Sequence, residues 1–523
     1  MKVRLAGVNI EQALIQSLSK NRRVVPTPET IAAAYARISR SSKPVDTLRS
    51  EARRELKKAR QSNQTIVFEM GHHSIAEHAV FNFDLEDLSR LAVEAVEHHR
   101  LVSFTERSQR YVKLENQYVV PEEIRNSELL DDYLNLMRVQ FDAYGRLLER
   151  LKEYFAQARP ELKEQPERLE NMAKEDARYI TPLATQTQLG MTVNARTLEY
   201  MIRRLAASEL AEVRGLAQAL YEQAEAVAPS LLVFTGPTEY EKNTYHRLEE
   251  FAQSFMTRPF PRRPRNLIAM SASDVVLVDY TQNADNKLLA ALLHSTSRAT
   301  FAECLSRSEK QTLARKKEIF KLACQDLQAY DAVLREFEHL YVTFELVISA
   351  ACFAQLKRHR LTTITAQPYD PDLGWTIPVS IAELKEHKSF KEVLSLTEEV
   401  YDKIAAVNPA AAQYVLTNSH QRRVLLTLNA RELYHLSRLR QDSSAQWDIR
   451  DIVSRMVEQA RNVMPLTLLL AGGKDVYPKV YQELFGHEPK VTKLELPQPR
   501  QLSRGSSNQN STRRRNNNEH QQS

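Results

Sequence analysis

The 523-residue sequence predicts an α+β protein built from two tandem repeats and followed by a disordered tail. Three observations support this fold class. Motifs that contain Glu-His and His-Arg pairs recur in the same order in both halves, which indicates an internal duplication. Runs with alternating apolar residues predict strands, and longer stretches with apolar residues near 3.6 spacing predict helices. A connector rich in proline and arginine separates the halves.

The first repeat, predicted over residues 1–256, begins with a strand-like run at residues 3–8. A helix is predicted to start at residues 28–30, where Pro-Glu-Thr precedes an alanine-rich stretch. The long helix over residues 131–155 is predicted from apolar side chains on one face. They are Tyr133, Leu136, Val139, Tyr144, Leu147, Leu148 and Leu151.

The connector, residues 257–266, holds three prolines among arginines and cannot continue a helix or a central strand. The second repeat, predicted over residues 267–487, starts again with a buried-strand candidate at residues 275–280. The tail, residues 488–523, carries an arginine triplet among Ser, Asn and Gln. It has too little apolar surface to fold, so we expect it to be disordered.

Composition excludes several classes of protein. The hydrophobic content of 42% and the charged content of 26% are ordinary for a globular chain. No run approaches the roughly 18 apolar residues of a membrane span, and we expect a cytoplasmic protein. The three cysteines form no C-x-x-C pair and are expected to be buried. Without a G-x-G-x-x-G or G-K-[ST] motif, a Rossmann or P-loop nucleotide site is excluded.

Residues 98–111 read H-H-R-L-V-S-F-T-E-R-S-Q-R-Y, a dense set of groups that suit a phosphorylated polar ring. This segment resembles the R-H-R-x-x-S-x-x-E-x-S-x-R-Y signature of flavin-dependent thymidylate synthases, with His98 replacing the first Arg. Residues 71–78 resemble the family's G-H-x-S-x-x-E-H pattern. The resemblance implies an antiparallel sheet flanked by long helices in each repeat.

The second half repeats these motifs. Residues 355–360 read Q-L-K-R-H-R, with the first Arg intact, and follow a second Glu-His pair at residues 338–339. T-V-N-A-R at residues 192–196 recurs as T-L-N-A-R at residues 427–431. Residues 439–447 resemble the family's L-R-x-D-S-x-A-Q-W-E.

The two copies have lost complementary residues. The first repeat keeps the E-x-S-x-R residues but departs from the family at three other positions, which hold Ala95, Gln188 and Leu205. The second repeat has Ala366, Pro368 and Asp370 at the E-x-S-x-R positions. It keeps the other family residues, Gln355, Arg358, His359, Arg360, Arg423 and Arg440.

We therefore hypothesise a fused pseudo-dimer with one composite active site and a reciprocal site that does not bind nucleotide. The resemblance implies conversion of dUMP to dTMP, with methylenetetrahydrofolate as carbon donor and NADPH as reductant through FAD. Arg440 is the catalytic candidate because an arginine against the uracil edge stabilises developing negative charge. The implied substrate-binding residues are Glu106, Ser108, Arg110, Gln355, Arg358, Arg423 and Arg440.

The resemblance also implies a flavin site made of side chains. Its candidates are Ser74, His99, Arg100, Glu106, Arg358, His359, Arg360, Asn429, Arg431 and His435. The segment Asn194-Ala195-Arg196 has a structural alternative, since it suits helix capping and packing. His78 and His339 are interpreted as core histidines, and Trp447 as a core residue. We expect no metal site from the first repeat's histidines.

Other functions stay open at this point. The chain can be a non-catalytic nucleotide- or flavin-binding paralogue, or a flavoprotein that acts on another pyrimidine nucleotide. An RNA-binding protein that uses the basic tail is a third alternative, which the absence of interleaved aromatic residues disfavours. We expect dUMP, folate and NADPH as partners, self-association of the fused chain into a homodimer, and neither a membrane nor a nucleic-acid partner.

Overall fold

The computed structural model describes residues 1–12, 14–15, 27–256 and 274–492. The predicted connector at residues 257–266 lies outside the described residues, as does the tail from residue 493 onward. The last helix of the first repeat ends at Phe255 and the first strand of the second begins at Asp274. The repeat boundaries therefore stay predictions.

The first repeat contains four strands and ten α-helices among the described residues. The strand predicted at residues 3–8, the helix predicted to start at residues 28–30 and the helix predicted over residues 131–155 are present. The strands are β1 (Lys2–Val8), β2 (Val80–Ser89), β3 (Val102–Glu106) and β4 (Gln186–Asn194). The helices are α1 (Glu29–Ile38), α2 (Val45–Arg54), α3 (Leu56–Gln64), α4 (Arg90–Glu97), α5 (Glu122–Arg125), α6 (Leu130–Ala158), α7 (Pro166–Ala177), α8 (Ala195–Ala206), α9 (Ala211–Glu225) and α10 (Glu239–Phe255).

The second repeat follows the same order of strands around its described helices. The strands are β5 (Asp274–Tyr280), β6 (Tyr341–Ser349), β7 (Thr363–Ala366) and β8 (Gln421–Asn429). The helices are α11 (Ala284–Ser295), α12 (Phe301–Glu309), α13 (Leu313–Cys324), α14 (Ala350–Leu356), α15 (Val379–Glu383), α16 (His387–Ala405), α17 (Pro409–Ala412), α18 (Ala430–Arg440), α19 (Trp447–Val463) and α20 (Tyr477–Phe485).

Each repeat has a four-stranded antiparallel sheet of the same topology, β1-β2-β4-β3 and β5-β6-β8-β7. The registers match as well: Val80 faces Asn194 in the first sheet, and Tyr341 faces Asn429 in the second. Apolar side chains on one face of each sheet pack under the helices of their own repeat, which gives two separate sheet cores. The predicted fold class is confirmed.

Backbone and helix contacts join the two repeats. Leu183 N donates to the carbonyl of Leu416 at 2.8 Å, and Asn418 N donates to that of Thr181 at 3.0 Å. The long helix α6 packs on α16, and Gln140 Nε2 donates to Thr397 Oγ1 at 2.8 Å inside this contact. Because two further apolar clusters draw residues from both halves, the repeats share a continuous interior.

Glu97 and Lys357 show how the repeats are related. They occupy equivalent positions, each directly before the histidine-arginine motif, and their side chains pair at 2.9 Å. Both side chains are buried. Since equivalent positions meet only on a symmetry axis, a pseudo-twofold axis passes between them. Pairing of two like repeats there would bring two like charges together in the interior.

The solvent exposure of the side chains tests the predictions made for the cysteines and for two histidines. Cys304, Cys324 and Cys352 are free and buried, as predicted. The core interpretation of His78 and His339 is wrong, because both side chains are exposed at the end of a short 3₁₀ helix before the strand. His78 instead meets the ring of Tyr35 edge-on, 4.7 Å between centroids.

No helix within the described residues combines the length and the apolar character needed to cross a bilayer.

Candidate functional site

Three chain segments from the two repeats converge beside the pseudo-twofold axis. Strand β3 of the first repeat ends at Glu106, and helix α14 of the second repeat ends just before Arg358. Helix α18, also of the second repeat, ends at Arg440. Its N-terminus is capped by Asn429, whose side chain accepts from Glu432 N at 2.8 Å. The equivalent Asn194 caps helix α8 by accepting from Thr197 N at 2.9 Å, which supports the structural role predicted for it.

Glu106 joins the E-x-S-x-R motif of one repeat to the R-H-R motif of the other. Its buried carboxylate contacts Arg90 and accepts from Arg358 at 3.1 Å and from Thr187 Oγ1 at 3.2 Å. Burial lowers the pKa of Arg90 to about 10, and the charge of Arg358 contributes to that shift. Glu106 therefore fixes the position of Arg358 across the interface between the repeats.

Arg440 lies on the other side of Arg358. It donates from Nε to His359 Nε2 at 3.1 Å and from a terminal nitrogen to the carbonyl of Gln355 at 3.2 Å. Because His359 Nε2 accepts, the proton of this ring lies on Nδ1, which donates to Glu432 at 3.2 Å. Burial lowers the pKa of Arg440, and the charge of Arg358 lowers it further. The guanidinium thus lies among other cations.

Arg110 also reaches across the interface. It pairs with Glu175 and donates to the carbonyl of Ser444 at 3.4 Å, in the L-R-x-D-S-x-A-Q-W segment. Its charge acts on Arg440 and on Arg178. We call Arg110, Arg178, Arg358 and Arg440 the arginine cluster.

Arg178 was missed by the sequence analysis. It is buried, and one terminal nitrogen has no hydrogen-bond partner within the described part of the chain. Burial lowers its pKa, and the charge of Arg110 adds to that effect. A buried guanidinium with a free donor can still bind an anion. Arg178 lies before strand β4, outside the motifs that recur in the second repeat, so no repeated pattern marks it.

Three further residues were predicted to bind substrate, and they lie in different surroundings: Ser108, Gln355 and Arg423. Ser108 lies beside Arg110, whose backbone N donates to its hydroxyl at 3.2 Å. Gln355 is buried and donates to Gln446 at 3.2 Å. Arg423 bonds instead to Glu345 on the adjacent strand at 2.8 Å. Within the described residues, Arg423 has no hydrogen bond to the arginine cluster. Its role in substrate binding therefore stays a prediction.

The arginine cluster is suited to an anion. Glu106 and Glu175 are the carboxylates bonded to its members, and Glu106 is shared with Arg90. Arg178 is buried, Arg110 and Arg440 are half-buried, and Arg358 is exposed. An anion that binds beside them gains charge-assisted hydrogen bonds to several guanidinium groups. Arginine also presents paired donors to planar groups. The cluster can therefore hold a phosphate and the polar edge of a ring together.

The reciprocal position across the axis is filled by side chains. Arg422 pairs with Glu94 at 2.8 Å and lies over the rings of Phe353 and Tyr369, 4.6 and 4.3 Å from their centroids. The Tyr369 hydroxyl donates to Glu94 at 2.7 Å. We call these four residues the plug. Their charges and donors satisfy one another, so the absence of a nucleotide site at this position stays a prediction that these contacts support.

Two clefts flank the axis, each beside one histidine-arginine motif. The first cleft, of about 810 Å³, is lined by His73, His98, His99, Tyr200 and Arg203 among others. The second cleft, of about 1150 Å³, is lined by Arg358, Asn429, Arg431, His435 and Arg438 among others. Arg100, Leu101, His359 and Arg360 line both.

Among the predicted flavin residues, His99 lines only the first cleft, whereas Asn429, Arg431 and His435 line only the second, so their grouping into one flavin site stays a prediction. His99 lies in the first cleft, where burial lowers its pKa to about 4 and keeps the ring neutral at pH 7. Ser74 is exposed in the adjoining 3₁₀ helix His73–His78. Arg431 lies in the second cleft and bonds to Glu338 at 2.8 Å. Spacing along the chain does not tell which side of the axis a residue faces.

His359, Glu432 and His435 place potential metal-ligand atoms within 4.8 Å of one another. In His359, however, one ring nitrogen donates to Glu432 and the other accepts from Arg440. The cation Arg440 beside this trio repels a second positive charge. We therefore assign Glu432 to orienting His359.

The buried carboxyl group of Asp176, in the first repeat, forms hydrogen bonds to the second repeat. Asp176 accepts from Trp447 Nε1 at 2.8 Å and from the Ser380 hydroxyl at 2.6 Å, both in the second repeat. Burial raises its pKa to about 6 from 3.8, so the fold favours its protonated form. Trp447 is half-buried and stacks on Tyr179, 5.5 Å between centroids, rather than lying fully in the core.

Asp176→Asn is expected to stabilise the chain above pH 6 and to have little effect near pH 3.8. The raised pKa contributes stability below pH 3.8, and that contribution is lost as pH rises toward 6. The loss is about 3 kcal/mol at 1.36 kcal/mol per unit. Urea unfolding of both proteins across this pH range checks the prediction. A difference that does not change with pH would contradict the burial effect.

Comparison with known proteins identifies the family. The model described as thymidylate synthase complementing protein matches residues 22–230 and 276–466. A flavin-dependent thymidylate synthase of Clostridium tetani is 32% identical over 216 residues, covering 41% of this chain and 84% of that relative. A UPF0159 protein of Thermoplasma acidophilum is 26% identical over 480 residues, covering 83% of this chain and 93% of the relative.

Among solved structures, the flavin-dependent thymidylate synthase ThyX of Helicobacter pylori, complexed with FAD and dUMP, is similar at 20% identity. It covers 45% of this chain and all of its own, at a TM-score of 0.27. The family model itself matches both repeats and more than half of the chain. The chain therefore belongs to the flavin-dependent thymidylate synthase family, as its motifs predicted.

Proposed function

We propose that the protein is a flavin-dependent thymidylate synthase that converts dUMP to dTMP at one composite site between its repeats. Methylenetetrahydrofolate is the carbon donor and NADPH the reductant, through FAD. The observation that carries this proposal is the arginine cluster, to which each repeat contributes two members. Arg110 of the first repeat reaches the Ser444 carbonyl of the second, and its charge acts on Arg178 and on Arg440. Family membership supplies the reaction class.

In this proposal three members of the cluster bind dUMP directly. Arg110 and Arg178 hold the phosphate, with the hydroxyl of Ser108 as a further donor. Arg440 faces the N3 and carbonyl edge of the uracil ring and stabilises negative charge that develops there as C5 becomes nucleophilic. Its bonds to His359 and to the Gln355 carbonyl keep it in place, so little reorganisation is needed during the reaction.

Glu106 acts as a positioning residue in the same scheme. Its carboxylate is already bonded to Arg90, Arg358 and Thr187, so it orients the arginines rather than removing a proton. Arg358 lines the second cleft as well as contacting Glu106. Arg358 therefore lies next to both the nucleotide and a ligand in the second cleft.

The second cleft suits a flavin. Its volume of about 1150 Å³ exceeds what a drug-sized ligand needs, and its wall carries Arg360, Arg431, Arg438 and Lys474 for phosphates. Tyr434, His435 and Leu439 line the same cleft and suit a planar ring. Bound FAD supplies the redox chemistry of the reaction. The protein supplies binding, orientation and positive charge.

Tritium release from 5-tritiated dUMP tests the function, with FAD, NADPH and methylenetetrahydrofolate present. Release coupled to dTMP formation is the expected result. A folded protein that binds flavin and dUMP without release would favour a non-catalytic binding paralogue. Release from another 5-tritiated pyrimidine nucleotide in preference to dUMP would identify a related flavoprotein with a different substrate.

A further inference from the structure

The last described helix of each repeat is rich in aromatic residues, but the two helices are packed differently. Helix α20 of the second repeat buries Tyr477 and Tyr481 in the core of that repeat. The Tyr477 hydroxyl donates to the carbonyl of Leu327 at 2.7 Å, and the Tyr481 hydroxyl donates to that of Gln325. The apolar face of α20 is therefore covered by its own repeat.

Helix α10 of the first repeat is not covered in this way. None of its 17 residues, all of which the structure describes, is buried. Leu248, Phe251 and Phe255 follow the i, i+3, i+7 spacing of one helix face, and Tyr240 and Tyr245 flank them. These five side chains are between 57% and 74% exposed. The helix is therefore amphipathic, with its apolar face toward solvent.

The beginning of α10 is held on the first repeat. Thr238 and Glu241 form a capping box, and the Glu241 carboxylate accepts from Arg203 of helix α8 at 2.8 Å. From Tyr245 to Met256 every residue is exposed. The apolar face is thus preformed and lies at a fixed place on the first repeat.

The charges of α10 favour a protein partner over a membrane. The helix carries four glutamates against one lysine and one arginine. A helix that lies on an anionic membrane presents mainly Lys and Arg on its polar face. A surplus of glutamate would be repelled by the lipid headgroups, whereas it is compatible with a contact between two proteins.

A second copy of the same helix matches this face in size and in chemistry. If the four aromatic side chains bury on the order of 150 Å² each, two copies together bury roughly 1,200 Å², the lower end of the range for specific protein interfaces. Since α20 is covered by its own repeat, α10 is the one of the two helices that is left to pair. A self-complementary face closes as a twofold dimer and does not extend into a filament.

We propose that α10 is a dimerisation surface, on which α10 of a second copy of this chain packs. Leu248, Phe251 and Phe255 form the seam between the two helices, and Tyr240 and Tyr245 cover its sides. The helix lies outside both ranges that the family model matches, so the family match assigns it no role. The pairing does not rest on the proposed function, because it joins two chains through a surface that contains no member of the arginine cluster.

Sedimentation equilibrium of the full-length chain measures the dissociation constant of the dimer. Leu248→Glu places a charge in the seam and is expected to leave monomers. Phe255→Gln removes one ring without adding a charge and is expected to raise the dissociation constant roughly tenfold or more. Gln253→Glu is the matched control, since it adds the same charge on the opposite face of α10 and is expected to leave the dimer unchanged. Because all three positions are exposed within the chain, circular dichroism is expected to show an unchanged fold.

Four results would overturn the proposal. The first is a wild-type chain that stays monomeric at micromolar concentration. The second is a dimer that keeps its affinity in Leu248→Glu and Phe255→Gln, which places the interface elsewhere. In the third, the chain is monomeric and Leu248→Glu lowers its free energy of unfolding, which shows that the chain covers the face itself. In the fourth, the monomeric wild type binds vesicles of anionic phospholipid and Leu248→Glu does not, which assigns the face to a membrane.

Discussion

Arg440→Gln is expected to lower dTMP formation about 10²- to 10³-fold, the loss typical of removing one preorganised donor from developing charge. Glutamine keeps a donor but loses the positive charge and the paired geometry. The change also releases His359 Nε2, which Arg440 now contacts at 3.1 Å. Steady-state kinetics with saturating FAD and folate measure the effect. Because the folded state keeps its helix α18, FAD binding is expected to persist.

Arg214→Gln is the matched control. This exposed arginine donates to the carbonyls of Ser208 and Glu209 on the surface of the first repeat. Its loss is expected to leave kcat within a factor of two. If Arg440→Gln were as active as the wild type, Arg440 would take no part in the reaction. A rise in KM with unchanged kcat would reduce its role to uniform substrate binding.

Glu97→Lys is expected to destabilise the fold by about 3–5 kcal/mol, the cost of leaving a buried charge unpaired. The variant places two lysines at the pseudo-twofold axis, where Glu97 and Lys357 now pair at 2.9 Å. Lys357→Glu places two glutamates there and is expected to cost a similar amount. Urea unfolding monitored by circular dichroism gives the free energy of unfolding for both variants.

The double reversal Glu97→Lys with Lys357→Glu is the control for this pair. It restores opposite charges in exchanged positions and is expected to recover most of the lost stability, since the interaction energy of neighbours is not additive. Two single variants with wild-type stability would show that the pair contributes little. If the double variant loses as much free energy of unfolding as the two single variants together, local packing rather than charge pairing dominates.

The repeated motifs predicted the duplication and the α+β class, because short segments with fixed polar residues and strand-like neighbours carry their own local signals. The proximity of Glu106 to the R-H-R motif of the other repeat was implied by the resemblance to the family. Arg178 carried no such signal: it becomes notable only through burial and a donor without a partner. The sequence also did not predict that Arg423 bonds to Glu345 rather than to the arginine cluster. That bond depends on the register of two strands.

The reciprocal site shows a further limit of sequence reasoning. Loss of Arg110 and Glu106 at the equivalent positions Asp370 and Ala366 predicted a site without nucleotide. It did not predict that Tyr369 and Arg422 fill the space, since their contact with Glu94 joins segments far apart in the chain. The division of the flavin candidates between two clefts was hidden for the same reason.

In the proposed function, one nucleotide site forms within each chain, from both of its repeats. Coexpression of Arg110→Ala chains and Arg440→Ala chains, which carry different tags, tests this arrangement. Species that contain both tags are isolated and assayed for dUMP binding and dTMP formation, beside wild-type chains treated in the same way. The mixed species are expected to stay as inactive as each variant alone, because every chain lacks one part of its own site. Recovered dUMP binding and turnover in the mixed species would contradict it and place the site between chains.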